Sequence, residues 1–159
     1  MAPGDRNEKA ALDHAGRYFD LHAGQRMSLF NFYLVLSGLV LAGIAGTYSN
    51  STLQTVGAFL GFALSIVAFV FWKLDQRVCF LMKRAEAALA QLESALPSAA
   101  RLFHSEPDHT RHACSAAGIW TYGKSFRLVF SLMGAVGLAL FIPPVVLAIA
   151  RFFWPQAQL

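Results

Sequence analysis

Three apolar stretches, Leu29 to Tyr48, Leu53 to Trp72 and Phe126 to Ala150, contain no Asp, Glu or Lys and a single Arg, Arg127, at the edge of the third. A helix needs roughly 20 apolar residues to cross a bilayer core about 30 Å thick, and each stretch has that length. With 56% hydrophobic residues, 14% charged residues and a mean hydropathy of +0.47, a chain of 159 residues is too apolar for an ordinary soluble domain. The expected fold is all-α: an integral membrane protein with three transmembrane helices in contact with the lipid bilayer. Asp5, Arg6, Glu8, Lys9, Asp13, Arg17, Asp20 and Arg26 precede the first stretch and make it unlike a cleavable signal, so the mature protein is expected to keep it.

Basic residues set the expected orientation, because Lys and Arg beside the spans stay on the cytoplasmic face. Arg6, Lys9, Arg17 and Arg26 lie before the first span, and none falls between the first and second. Lys73, Arg77, Lys83, Arg84, Arg101, Arg111, Lys124 and Arg127 stand between the second and third, and only Arg151 follows. The pattern predicts a cytoplasmic N-terminus, a tight outer turn at Thr47 to Thr52, a cytoplasmic block after Lys73, and an external tail over 151–159. Cys79 and Cys114 then face a reducing compartment, where a structural disulfide is not expected. A net charge of +4 follows from the same bias and is not read as nucleic-acid binding.

Outside the membrane the chain has two helical patterns. Leu12, Ala15, Phe19, His22 and Arg26 share one face of a helix within 1–28, flanked by Ala11, Tyr18 and Ala23. Asp13, Asp20 and the small residues make that face a poor lipid anchor, and packing against protein is the preferred reading. Over 73–96 the apolar positions Leu74, Val78, Leu81, Ala85, Ala88, Leu92 and Ala95 alternate by four and three as a coiled-coil seam. A short connection makes the first two spans antiparallel, so the two patterns are expected to pair as a cytoplasmic helical hairpin extending from spans 29–48 and 53–72. The seam serves that pairing, oligomerisation, or both. Residues 97–125 read as a cytoplasmic loop, with a short helix near Ala113 to Trp120, and the third span over 126–150 is expected to kink, or to break and re-enter, at Pro143-Pro144.

Within the spans no ionisable side chain reaches mid-membrane, which argues against ion-coupled transport. Small residues recur at intervals of four: Gly38, Ala42 and Gly46 in the first span, Gly57 and Gly61 in the second, Ser131, Ala135 and Ala139 in the third. Such ridges let helix backbones approach closely, within one chain or between subunits. Trp72, Lys73, Asp75 and Arg77 form a membrane boundary, and Asp75 is placed to pair with Arg26 or His22 across the hairpin. His109, His112 and Cys114 are candidate zinc ligands, with Glu106 or Asp108 as a fourth, although their spacing matches no established zinc signature. No phosphate loop, dinucleotide fingerprint or nucleophile elbow is present; neither enzymatic activity nor a cofactor is expected.

The layout of Tyr18-Phe19, His22 to Arg26, Phe30-Asn31-Phe32-Tyr33, a glycine-rich hairpin, and Phe71-Trp72-Lys73-Leu74-Asp75-Gln76-Arg77 running into Ala85-Glu86-Ala87-Ala88-Leu89 resembles a group of small uncharacterised bacterial inner-membrane proteins. More distantly it resembles SLATT-type effectors, in which a transmembrane hairpin carries cytoplasmic helices. The resemblance spans about Ala11 to Glu93 and implies an oligomeric effector that permeabilises the membrane in anti-phage or nucleotide-signalled defence; the third span departs from the two-span pattern. The other functional expectation is a non-conducting scaffold or regulatory subunit that holds a cytoplasmic protein through the helical hairpin, and a metal sensor built on His104 to Cys114 is a third. An alkaline phosphatase fused after Leu159 is expected to be active, reporting an external C-terminus; activity only of a cytosolic reporter there would change the number of crossings.

Overall fold

The structure, a computed structural model, describes residues 3–47, 53–97, 101–103 and 122–153. Among them the regular structure is entirely helical: α1 (Pro3–Thr47), α2 (Gln54–Leu92) and α3 (Tyr122–Phe153), with a 3₁₀ turn at Glu93–Ala95 after α2. Pro3 opens α1, the one helical position where a missing N–H is harmless, and no further proline interrupts its 45 residues. Pro97 fixes the end of α2, because the residue before a proline is held extended. Leu96 has φ −87° and ψ 159°, and its N–H closes the 3₁₀ turn on the Glu93 carbonyl at 2.9 Å.

Each of the three helices contains a segment long and apolar enough to cross a membrane. Only 6% of the apolar window of α3 is buried against the rest of the protein. Large side chains such as Phe32, Leu39 and Phe59 stand exposed along the spans, an apolar surface that lipid covers and water does not. Of the two outcomes expected at Pro143-Pro144, a break with re-entry does not occur: α3 is helical through both prolines to Phe153. Proline's fixed φ is itself helical, so the helix continues, at the cost of the hydrogen bonds its missing donors would have made and of crowding between each ring and the preceding turn.

The chain divides into two compact units, Leu29–Lys73 with Ser125–Leu159, and Met1–Ser28 with Leu74–Lys124. In the first unit the three spans meet at an aromatic cluster. Tyr33, fully buried, lies edge-on to Phe130 with centroids 4.7 Å apart and 5.3 Å from Phe71, while Phe30 stacks on Phe126 at 3.9 Å. Such ring pairs contribute about 0.5–1.5 kcal/mol each beyond the area they cover. Further along, α2 and α3 touch backbone to backbone. A Cβ added at Gly61 would stand 2.9 Å from the Gly137 carbonyl oxygen and 3.1 Å from Leu140 Cβ, and one added at Gly137 would overlap Ser65 Oγ and the Gly61 carbonyl. The Ser65 hydroxyl is shared between its own helix, at Gly61 O (3.2 Å), and α3, at Gly134 O (3.0 Å).

In the second unit the N-terminal part of α1 packs against the C-terminal part of α2. Leu12, Ala15, Phe19, His22 and Arg26 are all at least half-buried while Asp13, Arg17 and Asp20 are exposed, as the stripe predicts. The buried positions of α2 here are Asp75, Val78, Ala85 and Leu89, with Met82 half-buried between them. This seam differs from the apolar pattern: Val78 and Ala85 are common to both, but Leu74 and Ala88 are exposed and their neighbours Asp75 and Leu89 are inside. A buried ion pair at Asp75 accounts for the difference. Segment 101–103 folds back on the same unit: the Phe103 N–H donates to Glu93 Oε2 (2.8 Å), the Arg101 Nε–H to Leu96 O (2.7 Å), and the Phe103 ring lies edge-on to Phe19 at 5.4 Å. The remainder of the expected 97–125 loop up to residue 121, like the outer turn at 48–52, lies outside the described residues.

Gly137→Ala is expected to destabilise the α2–α3 packing by about 1–3 kcal/mol, since backbone atoms block the new methyl. Gly24→Ala, in open space on α1, is expected to stabilise by about 0.5–1 kcal/mol through helix propensity. Thermal unfolding of both variants in detergent micelles checks the contrast.

Candidate functional site

In the second unit the Arg26 guanidinium meets the buried carboxylate of Asp75. Asp75 lies on the buried face of α2 with Val78, Ala85 and Leu89, and the α1 stripe sets Arg26 opposite. Arg26 Nε–H donates to Asp75 Oδ1 at 2.7 Å and its NH2 group to Oδ2 at 3.2 Å, a two-pronged pair with both side chains shielded. A fork of this shape fixes direction as well as distance, which lysine would not do. Burial by itself lowers the Arg26 pKa, but the hydrogen bond and charge of Asp75, reinforced by Cys79 and Glu86, more than offset it and the net shift is upward. A group raised in the folded state stabilises at every pH below its ordinary value, so the guanidinium stays charged across the physiological range and is no pH switch. His22, the other partner considered for Asp75, instead turns Nδ1 to the Tyr18 carbonyl on its own helix at 2.7 Å, with its ring 4.1 Å from that of Tyr18.

At the Lys73 end of the second span, Lys73 is exposed and its Nζ lies 5.4 Å from the Trp72 ring centroid and 5.7 Å from that of Phe69. A cation above indole and phenyl faces suits a headgroup layer. Arg77 is exposed, and Trp72 is half-buried with an unpartnered Nε1 among the described residues.

The small-residue ridges have different fates. On α2, Gly57 and Gly61 are buried: Gly57 sits under Thr47 Oγ1 of α1, and Gly61 meets α3 at Gly137. On α1, Gly38, Ala42 and Gly46 are all exposed, with open space where a Cβ would stand at Gly38 and Gly46. Their face is roughly opposite the buried one, which runs through Tyr33, Ser37, Ile44 and Thr47. On α3, Ser131, Ala135 and Ala139 are exposed too, and the residues that pack are Phe126, Phe130 and Gly137. Gly134 and Gly137 were the contacts missed in the sequence; their spacing of three is as helical as the spacing of four, and glycine admits a closer neighbour than serine or alanine.

Two buried hydroxyls of the first span donate to backbone of their own helix, Ser37 to Tyr33 O and Thr47 to Ile44 O at 2.7 Å each, an ordinary structural use of Ser and Thr in a helix. His109, His112 and Cys114 fall outside the described residues; within those described, no group of His, Cys, Asp or Glu is arranged for a metal ion.

These features define a multi-pass, all-α membrane protein whose spans are joined by close backbone approach and aromatic packing. CD-NTase-associated protein 19 of Escherichia coli is 37% identical over 142 residues, covering 88% of this chain and 94% of that protein. The chain belongs to the family of that protein. No family model matches, and no solved structure does.

Removing one member of a buried ion pair costs about 3–5 kcal/mol because the other charge is left stranded. Arg26→Ala is therefore expected to loosen the second unit by that order, and the exchange Arg26→Asp with Asp75→Arg to recover part of it. Amide hydrogen exchange over 12–26 and 74–92 reads the effect.

Proposed function

We propose that this protein is a non-enzymatic, membrane-acting effector of CBASS anti-phage defence, which assembles with copies of itself in the inner membrane and permeabilises it when a cytoplasmic signal reaches the unit containing Arg26 and Asp75. The observation that carries this reading is the family membership: the relative's name associates it with a CD-NTase, and the similarity runs through nearly all of both chains. In this reading the N-terminus and the second unit face the cytoplasm, as the basic residues predict, and the trigger derives from the nucleotidyltransferase.

Two features support action on the membrane itself. The spans carry no ionisable group at mid-depth, which disfavours a coupled transporter. The ridge Gly38-Ala42-Gly46 is left open by the chain's own packing, and a ridge of this composition serves contact between helices. A pore made of several copies then needs no charged lining, because apolar constrictions gate by wetting and dewetting.

Overexpression in bacteria, followed with a membrane-potential dye, is expected to depolarise cells when the partner CD-NTase is active. Gly38→Ile with Ala42→Ile, which touches none of the internal contacts, is expected to abolish the depolarisation without lowering the amount of protein in the membrane. Unchanged potential in the unaltered protein, with full expression and an active CD-NTase, would instead favour a scaffold that holds a cytoplasmic partner through the helical hairpin.

A further inference from the structure

Where α1 ends and α2 begins, a partly open cavity of about 260 Å³ lies between all three spans of the first unit. Its α3 wall is made of Ala139, Leu140, Pro143 and Pro144. In a helix each carbonyl points toward the C-terminus and accepts from the N–H four residues on. Those N–H groups would belong to residues 143 and 144, and proline has none. The Ala139 and Leu140 carbonyls therefore lose their usual donors in the stretch that borders the cavity. In lipid an unsatisfied backbone group costs several kcal/mol, so proline is tolerated in a span only where something else supplies the donor.

Across the cavity stand Thr47 and Gln54. Thr47 Oγ1 gives its proton to the Ile44 carbonyl at 2.7 Å, which leaves its oxygen free only to accept. Gln54, exposed at the start of α2, brings an amide that donates and accepts. Acceptors thus outnumber donors around a space far larger than the roughly 10–15 Å³ one water occupies, and water with two to four such partners stays bound in a cavity where an apolar lining would leave it dry.

We propose that this cavity is a hydrated site within the membrane-spanning unit, its water held by the Ala139 and Leu140 carbonyls that Pro143 and Pro144 release, with Thr47 and Gln54 completing the shell. Pro143-Pro144 then has a role other than bending α3: it exposes two acceptors and places water among the spans. The site does not require that the protein conduct.

Ala58 is buried at 6% exposure and borders the cavity, whereas its neighbour Phe59 is 65% exposed on the outer surface of the same turn. In the full chain with Cys79→Ser and Cys114→Ser, Ala58→Cys and Phe59→Cys are compared in native membranes. The probe is a membrane-impermeant methanethiosulfonate ammonium reagent applied to both faces. A thiol must ionise in water to react, so Ala58→Cys is expected to be modified at least about tenfold faster than Phe59→Cys, although it is the more buried of the two. Adding Pro143→Ala and Pro144→Ala restores both donors to the helix and is expected to bring the Ala58→Cys rate down toward the Phe59→Cys rate. Ala139→Cys reports on the same space from α3 should Ala58→Cys fail to insert. Inert thiols at both cavity positions would mean a dry or lipid-filled space and overturn the proposal. Equal reaction at Ala58 and Phe59 would also overturn it, by placing that whole turn in water, and a rate indifferent to the prolines would remove the carbonyls from it.

Discussion

Lipid tails offer an apolar side chain much the same surroundings as a neighbouring helix does, so spans adhere only where they fit closely or share a hydrogen bond. The first unit follows from that constraint. Among the described residues its helices are joined by the rings around Tyr33 and Phe130, the Phe62–Phe141 pair, the crossing of Gly61 with Gly137, the shared Ser65 hydroxyl, and Gly57 beneath Thr47. A hydroxyl bridge such as that of Ser65 contributes only about 0.6 kcal/mol on average in a membrane bundle. Close backbone approach matters more, because every atom along the crossing gains contact at once. Leu39, Phe59 and Leu132 take no part and lie along the outside.

In the second unit apolar side chains and a charged pair are buried together, and a different organisation results. Val78, Ala85 and Leu89 are buried as the hydrophobic effect dictates. Arg26 and Asp75 go in with them, and a pair this shielded contributes little net stability once the loss of hydration is counted. What it does supply is register: a two-pronged contact is satisfied at one rotation and one height of α1 against α2. Glu93 acts similarly at the far end, where it receives the Phe103 N–H and holds segment 101–103 against Phe19.

Membrane residence, the three helices and the buried stripe from Leu12 to Arg26 were legible in the residues alone, since each rests on a long run or a repeated spacing. The pairing of Asp75 with Arg26 was legible as one of two alternatives, because antiparallel spans bring those positions level. The seam of α2 was half legible. Periodicity places apolar side chains inside and charges outside, so Leu74 outranks Asp75 until a partner for the carboxylate is seen. Within the spans, periodicity loses its force altogether: α3 is apolar all round, and nothing in Ser131, Ala135 and Ala139 distinguishes an open face from a packed one. The contact at Gly137 depends on how the helices cross, a property of pairs that no single segment encodes. At Pro143-Pro144 the sequence leaves a kink and a break equally open, because proline's fixed φ suits a helix while its missing donor does not, and the continuity of α3 excludes the break.

Glycine at positions 38 and 46 lowers the helical preference of α1 without any return from the chain's own packing, since open space adjoins both. Close approach by another helix is the one way such a face regains what its missing side chains forgo. If that helix belongs to a second molecule, the benefit grows with crowding in the plane of the bilayer and vanishes at low copy number. Pairing through that face would then be governed by how many copies share a patch of bilayer, and not by any change inside a single chain.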